Sequence, residues 1–157
     1  MNNNNNNPSN KVTPVRKGRM SYSYGSEKLS GVKADTTFDA IINGERTATT
    51  RYSKDGHIGY WEGLRAGDIV EFTDGKGRSL YVEITLPLHK LDKNITAEEW
   101  CKKEGWSKEH FNNKVKPQID KGGAYQMEFR YIDTPNAINS NHKNKEAINK
   151  IKNVLNQ

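Results

Sequence analysis

The sequence predicts an α+β domain that is mainly β: a small antiparallel β-barrel with two or three flanking helices. Three observations point there. Leu80, Val82, Ile84 and Leu86 alternate without a gap against Ser79, Tyr81, Glu83 and Thr85, directly after the hairpin-type run Asp74-Gly75-Lys76-Gly77. Tyr125, Met127, Phe129 and Tyr131 repeat the period of two and read as a closing strand. Thr96-Ala97-Glu98-Glu99 is a capping box, and Ser107 is a second helix-start residue; glycines follow both helical stretches.

A chain of 157 residues with 32% hydrophobic content and a mean hydropathy of −0.98 is one domain's worth, with a modest core and unstructured ends. There is no internal repeat, no apolar run of bilayer length and no signal-peptide hydrophobic region, so a soluble, cytoplasmic protein without a membrane partner is expected. The single cysteine, Cys101, excludes an internal disulfide framework. His57, His89, His110 and His142 show no metal-ligand spacing with it or with one another, so neither a metal nor a cofactor is expected.

The net charge of +6 suggests a polyanionic partner, which makes its distribution matter. Lys11, Arg16 and Lys17 leave +3 in residues 1–17, while four lysines against Asp133 and Glu146 leave +2 in residues 133–157. The domain between them, residues 18–132, carries the remaining +1. Strong sequence-independent binding of nucleic acid by the domain is therefore not required by composition.

In chain order, residues 1–17 form an Asn-rich basic tail expected to be disordered. Arg19 to Tyr24 reads as a first strand with Met20, Tyr22 and Tyr24 on one face, a stripe that is more often core than a base-stacking surface. Asp35 is the expected cap of a helix over about 36–43, with Phe38, Ile41 and Ile42 as its stripe and Gly44 as its stop. A Thr-rich strand from Arg46 to Arg51 follows, with Thr47, Thr49 and Arg51 on one face. Residues 52–64 read as a long loop in which Tyr60 and Trp61 either close over a ligand or plug the barrel end; His57 reads as a surface residue. Ile69 to Thr73 is the first strand of the hairpin, and Pro87 is expected to end the second.

The capping box opens a helix through Glu104 that stops at Gly105, and Trp100 and Glu104, four apart, share a face. Glu104 is thus either a carboxyl against an apolar wall, suited to acid–base work, or the ion-pair partner of Lys103, Lys108 or an arginine of the Thr-rich strand. The next helix runs from Ser107, breaks or restarts at Pro117 and ends before Gly122-Gly123. Residues 133–157 form a polar linker and an amphipathic helix from about 143 to 155, which could dock on the domain or on a protein partner.

Gly44-Glu45-Arg46-Thr47-Ala48-Thr49-Thr50-Arg51 resembles the signature Gly-x-Lys-x-x-Glu-x-Arg of ASCH domains in the PUA-like superfamily. It is similar in pattern to small bacterial ASCH amidohydrolases that act on N4-acetylcytidine, whose motif reads Gly-x-Lys-Thr-x-Thr-x-Arg. Arg46 stands where both patterns have Lys. The resemblance implies a barrel over residues 18–132 whose cleft holds RNA or a nucleobase, and it matches Glu104 to an essential glutamate of the amidohydrolases.

Two functions follow as expectations. In the first, Arg46, Thr47, Arg51, Tyr60 and Trp61 bind RNA or a nucleotide, in a cleft that Thr49 and Glu104 also line. In the second, Thr49, Glu104 and Arg46 hydrolyse an N4-acylated cytidine. A guanidinium takes no proton near neutral pH, so Arg46 would stabilise an oxyanion and any base role would pass to Glu104. A third expectation makes the C-terminal helix an interaction module.

Overall fold

The computed structural model describes residues 13–133, with Tyr60 described by its backbone alone. The Asn-rich run and the expected C-terminal helix lie outside the described residues.

The elements are β1 (Arg16–Arg19), α1 (Thr37–Ile42), β2 (Ala48–Tyr52), a 3₁₀ turn (Gly59–Trp61), β3 (Ile69–Thr73), β4 (Ser79–Lys90), α2 (Ala97–Glu104), α3 (Lys108–His110), a π turn (Phe111–Val115), α4 (Lys116–Asp120) and β5 (Ala124–Ile132). The strands form one five-stranded sheet in the order β1-β3-β4-β5-β2. Three of its pairings are antiparallel, and β1 runs parallel to β3, with Arg16 opposite Val70 and Arg19 opposite Thr73. The sheet curls into a half-barrel whose edges are β1 and β2. This is the small, mainly antiparallel α+β fold the sequence predicts; the one parallel pairing arises because β1 and β3 are separated by α1, β2 and a long loop, and a connection of that length permits it.

The β3–β4 hairpin forms where the turn chemistry places it. Asp74 Oδ1 accepts from the Lys76 and Arg78 amides at 2.7 and 3.1 Å, and Gly75 and Gly77 take positive φ. Pro87 does not end β4, which continues to Lys90. The β4–β5 register shifts between Ile84 and Leu86 and again between Leu86 and His89, so a residue without an amide is accommodated in the irregular stretch.

Among the described residues the first strand is Arg16–Arg19 and not 19–24. The Met20 amide still bonds Thr73 O, after which the chain leaves the sheet. Met20 and Tyr24 are buried, but Tyr22 is 44% exposed, so the three do not share a face. Arg16 and Lys17 therefore belong to the sheet, which raises the charge of residues 16–132 to +3. The cap of α1 is Thr36, not Asp35: the Thr36 hydroxyl accepts from the Asp39 amide at 3.0 Å. Gly44, at φ 84°, follows the helix as expected, and the Glu45 and Arg46 amides fold back onto Ala40 O.

The capping box of α2 forms with both reciprocal bonds, and Gly105 closes the helix in the left-handed conformation. Ser107 caps α3, and the π turn delivers Pro117 into the first turn of α4, where its missing amide is not needed.

Two cores result. Val70, Phe72, Leu80, Val82, Ile84, Met127 and Phe129 pack inside the half-barrel with Phe38, Ile41 and Trp61. Trp100, Cys101, Phe111, Val115 and Ile119 form a second core with Leu91 and Ala124. The middle of β5 is covered on both sides, since the adjacent residues Gln126 and Met127 are both buried.

Gly18 has no room for a side chain. A Cβ there would overlap the Trp61 indole, 2.7 Å from Cζ2. Gly18→Val is expected to destabilise the domain by about 1–3 kcal/mol through displacement of Trp61, checked by a lower urea midpoint.

Candidate functional site

The polar cluster lies between the two cores, on β2 and its neighbours. Burial on both faces of β2 gives its residues opposed roles. Thr49, opposite Met127, and Thr50, opposite Gln126, point to different sides of the strand.

On the Thr49 side, two guanidiniums meet one hydroxyl. Arg46 Nη2 donates to Thr49 Oγ1 at 3.2 Å, and Arg51 Nη1 donates to the same oxygen. Arg46 is 4% exposed and Thr49 1%. Arg46 Nε bonds Ala48 O at 3.0 Å, whereas its Nη1 is buried with no hydrogen-bond partner. Arg51 Nη2 reaches across the open edge of the sheet to Arg19 O at 3.2 Å and Met20 Sδ at 3.4 Å. One arginine thus spans the gap between β2 and the end of β1.

On the Thr50 side, Glu104 projects from the last turn of α2. Its Oε2 accepts from the Thr50 hydroxyl and, at 2.9 Å, from Gln126 Nε2; Trp100 Nε1 in turn donates to Thr50 Oγ1 at 2.9 Å. Oε1 lies 3.7 Å from Arg46 Nη2. Glu104 is 1% exposed, and burial pushes its carboxyl above the usual carboxylate range; the Arg46 charge and the bonds from Gln126 and Thr50 offset part of that. Burial, followed by the neighbouring Arg46 charge, lowers Arg51 to about 10, so it remains a cation at neutral pH. Tyr24, whose hydroxyl donates to Glu104 O at 3.0 Å, is raised by burial.

Of the sequence-predicted residues, Arg46, Thr49, Arg51 and Glu104 come together. Of the two readings of Glu104, the ion pair with an arginine of the Thr-rich stretch forms, with Arg46. Thr47 ties the frame by its backbone, its amide to Lys103 O and its carbonyl to the Phe129 amide. Trp61 is 5% exposed, edge-to-face on Phe72, with the Arg51 guanidinium 5.1 Å from its ring centroid. A ring held that deeply is a floor under Arg51, not a lid. Tyr60 sits in the adjoining 3₁₀ turn. His57 is exposed beside Glu62, as its surface reading expects.

Three members were not singled out from the sequence: Thr50, Gln126 and the indole N–H of Trp100. The available signal was the helical spacing of Trp100 and Glu104, which requires a polar partner on whatever strand faces α2. Among the described residues no group of three or more His, Cys, Asp or Glu side chains could hold a metal ion, and no helix is long and apolar enough to cross a membrane.

No family model matches the chain, nor does any curated protein. Solved structures similar to it include protein EF3133 from Enterococcus faecalis V583, of the family model DUF984, at TM-score 0.46 and 18% identity over 79% of this chain and 83% of that one. An ASCH domain from Lactobacillus crispatus JV V101 follows at TM-score 0.45 and 15% identity, over 75% and 80%. The hypothetical protein PH0355 aligns at TM-score 0.41 and 16% identity, over 74% and 98%. Likeness at this level does not assign the chain to a family, and the chemistry of the cluster stands on its own residues.

Proposed function

We propose that this is an ASCH/PUA-like domain that binds RNA or a modified nucleotide or nucleobase in a cleft lined by Arg46, Thr49, Arg51 and Glu104. The observation that carries the reading is a charge and donor surplus. Two guanidiniums converge on one hydroxyl, a single carboxylate faces them, and Arg46 Nη1 is buried without an acceptor. An unpaired buried donor costs about 1–3 kcal/mol, which a ligand oxygen would recover. Phosphate oxygens and the carbonyls of a base edge are acceptors that suit a guanidinium fork. The long Arg51 side chain connects this interior to the open edge of the sheet, where a ligand would enter.

The test is titration of a single-stranded RNA oligonucleotide and of cytidine 5′-monophosphate against wild type and Arg51→Ala across a salt series. Arg51→Ala is expected to weaken binding about tenfold or more, the worth of a charge-assisted hydrogen bond. Glu104→Gln should change affinity little. Wild-type affinity in Arg51→Ala would overturn the reading.

A second reading, hydrolysis of an N4-acylated cytidine, is favoured by one observation: a buried carboxyl with a raised pKa is hydrogen-bonded to a hydroxyl. The hydroxyl so placed is Thr50. Thr49 lies between two cations, while Glu104 Oε2 bonds Thr50 and Gln126. Release of cytidine from N4-acetylcytidine that is lost in Thr50→Ala and Glu104→Gln would establish this reading; no release from folded protein would remove it.

A further inference from the structure

The open edge of the sheet has features that a mononucleotide at Arg46 and Arg51 would leave unused. A cleft of about 380 Å³ lies there, lined by Arg19, Met20, Ser21, Tyr22 and Arg51. Arg51 is shared, since it bonds Thr49 in the interior and lines the cleft outside. Tyr22 is 44% exposed, and Lys76 Nζ stands 5.3 Å from its ring centroid. The Arg19 guanidinium lies against Gly75 of the same hairpin loop.

A second cleft of about 540 Å³ adjoins the first through Arg19 and follows β1 along residues 15–19 with Thr73. Three of the four β1 residues are cations. Glu71 stands opposite Lys17 in the β1–β3 register and offsets one of them. Asp74 is buried with Oδ1 committed to hairpin amides, and Asp39 pairs with Arg78 at 3.0 Å.

We infer that this edge is a second subsite, and that the ligand is a single-stranded polynucleotide and not a free nucleotide: Tyr22 stacks a base next to the one held at Arg46 and Arg51, while Arg19 and Lys76 hold its phosphate. The inference rests on the nucleotide reading of the Arg46–Arg51 site. Its warrant is the juxtaposition of an exposed ring with cations on a groove that shares Arg51 with that site, the combination by which single strands are bound through stacking and backbone charge. Each cleft alone is of small-ligand size, and two that share Arg19 as a common wall fit a chain with a repeating unit. An acidic peptide would use the cations and leave the ring without a partner.

The experiment measures, on the full chain, the affinity of a six-nucleotide single-stranded RNA, of cytidine 5′-monophosphate and of poly-glutamate. The hexamer is expected to bind at least tenfold tighter than the mononucleotide and to resist poly-glutamate. Tyr22→Ala should weaken the hexamer by about five- to a hundredfold, with a smaller loss for the mononucleotide. Lys76→Ala should lower the slope of log affinity against log salt by about 0.7, one single-strand phosphate contact. Tyr22 is half-exposed and Lys76 lies on a turn, so both variants should fold; an unchanged urea midpoint checks this. Equal affinity for hexamer and mononucleotide, or wild-type hexamer binding by both variants, overturns the subsite while the Arg51 site stands. Poly-glutamate competing as well as the hexamer overturns base stacking, and binding of neither nucleotide ligand overturns both readings.

Discussion

Glu104→Leu is expected to lower stability by about 3–5 kcal/mol, the cost of leaving a buried charge without its partner. The partner is Arg46, 3.7 Å away and 4% exposed, and the loss of the carboxylate also strips an acceptor from Thr50 and Gln126. Arg46→Met should cost a similar amount, because Nε anchors Ala48 O at the start of β2. The double variant is expected to cost clearly less than the sum of the two, since it removes both charges together. Urea denaturation of the four proteins closes the cycle, and strict additivity would show that the two residues are not energetically paired.

The pair also imposes a pH dependence of defined sign. Burial raises the Glu104 carboxyl above its ordinary value of 4.5. The folded chain therefore holds that proton more tightly than the unfolded chain, so the contribution to stability is fully present below 4.5 and is lost as pH rises through the folded value. Glu104→Gln should lack that part of the decline. A wild type and a Glu104→Gln variant whose urea midpoints run parallel over this window would contradict the raised carboxyl.

Trp100→Ala is the second large effect, expected at about 3–5 kcal/mol. The indole is 1% exposed, tilted against Phe111 at 5.4 Å and stacked on His110 at 6.0 Å, so truncation opens a cavity in the second core. Trp100→Phe separates packing from hydrogen bonding. It keeps most of the ring but removes the Nε1 donor, leaving Thr50 with Glu104 as its remaining partner. A cost near 1 kcal/mol, the usual net worth of one hydrogen bond, is expected beyond the smaller ring's packing loss. If Trp100→Phe cost as much as Trp100→Ala, the hydrogen bond and not the packing would dominate at this position.

Much of the chain's local structure was legible because its causes act over a few residues. The capping box at Thr96 and Glu99, the stop at Gly105, the turn at Asp74 to Gly77 and the alternation of β3, β4 and β5 each depend on neighbours in sequence. Even the near misses are local. Asp35 and Thr36 are adjacent cap formers, and which one caps depends on where the chain enters α1. Pro87 failed as a strand end because β4 changes register there, which its sequence does not announce.

By itself, then, the sequence determined the elements, the α+β class and the collection of polar residues near Arg46. Tertiary structure alone decided that β1 runs parallel to β3, that Arg51 bridges β2 to Arg19, and that Glu104 meets Thr50 and not Thr49. The physical reason is burial on both faces. A period of two assigns one side of β2 and β5 to solvent, but α2 covers that side, so the half-buried Thr50 and the buried Gln126 become partners of a carboxylate 54 and 22 residues away.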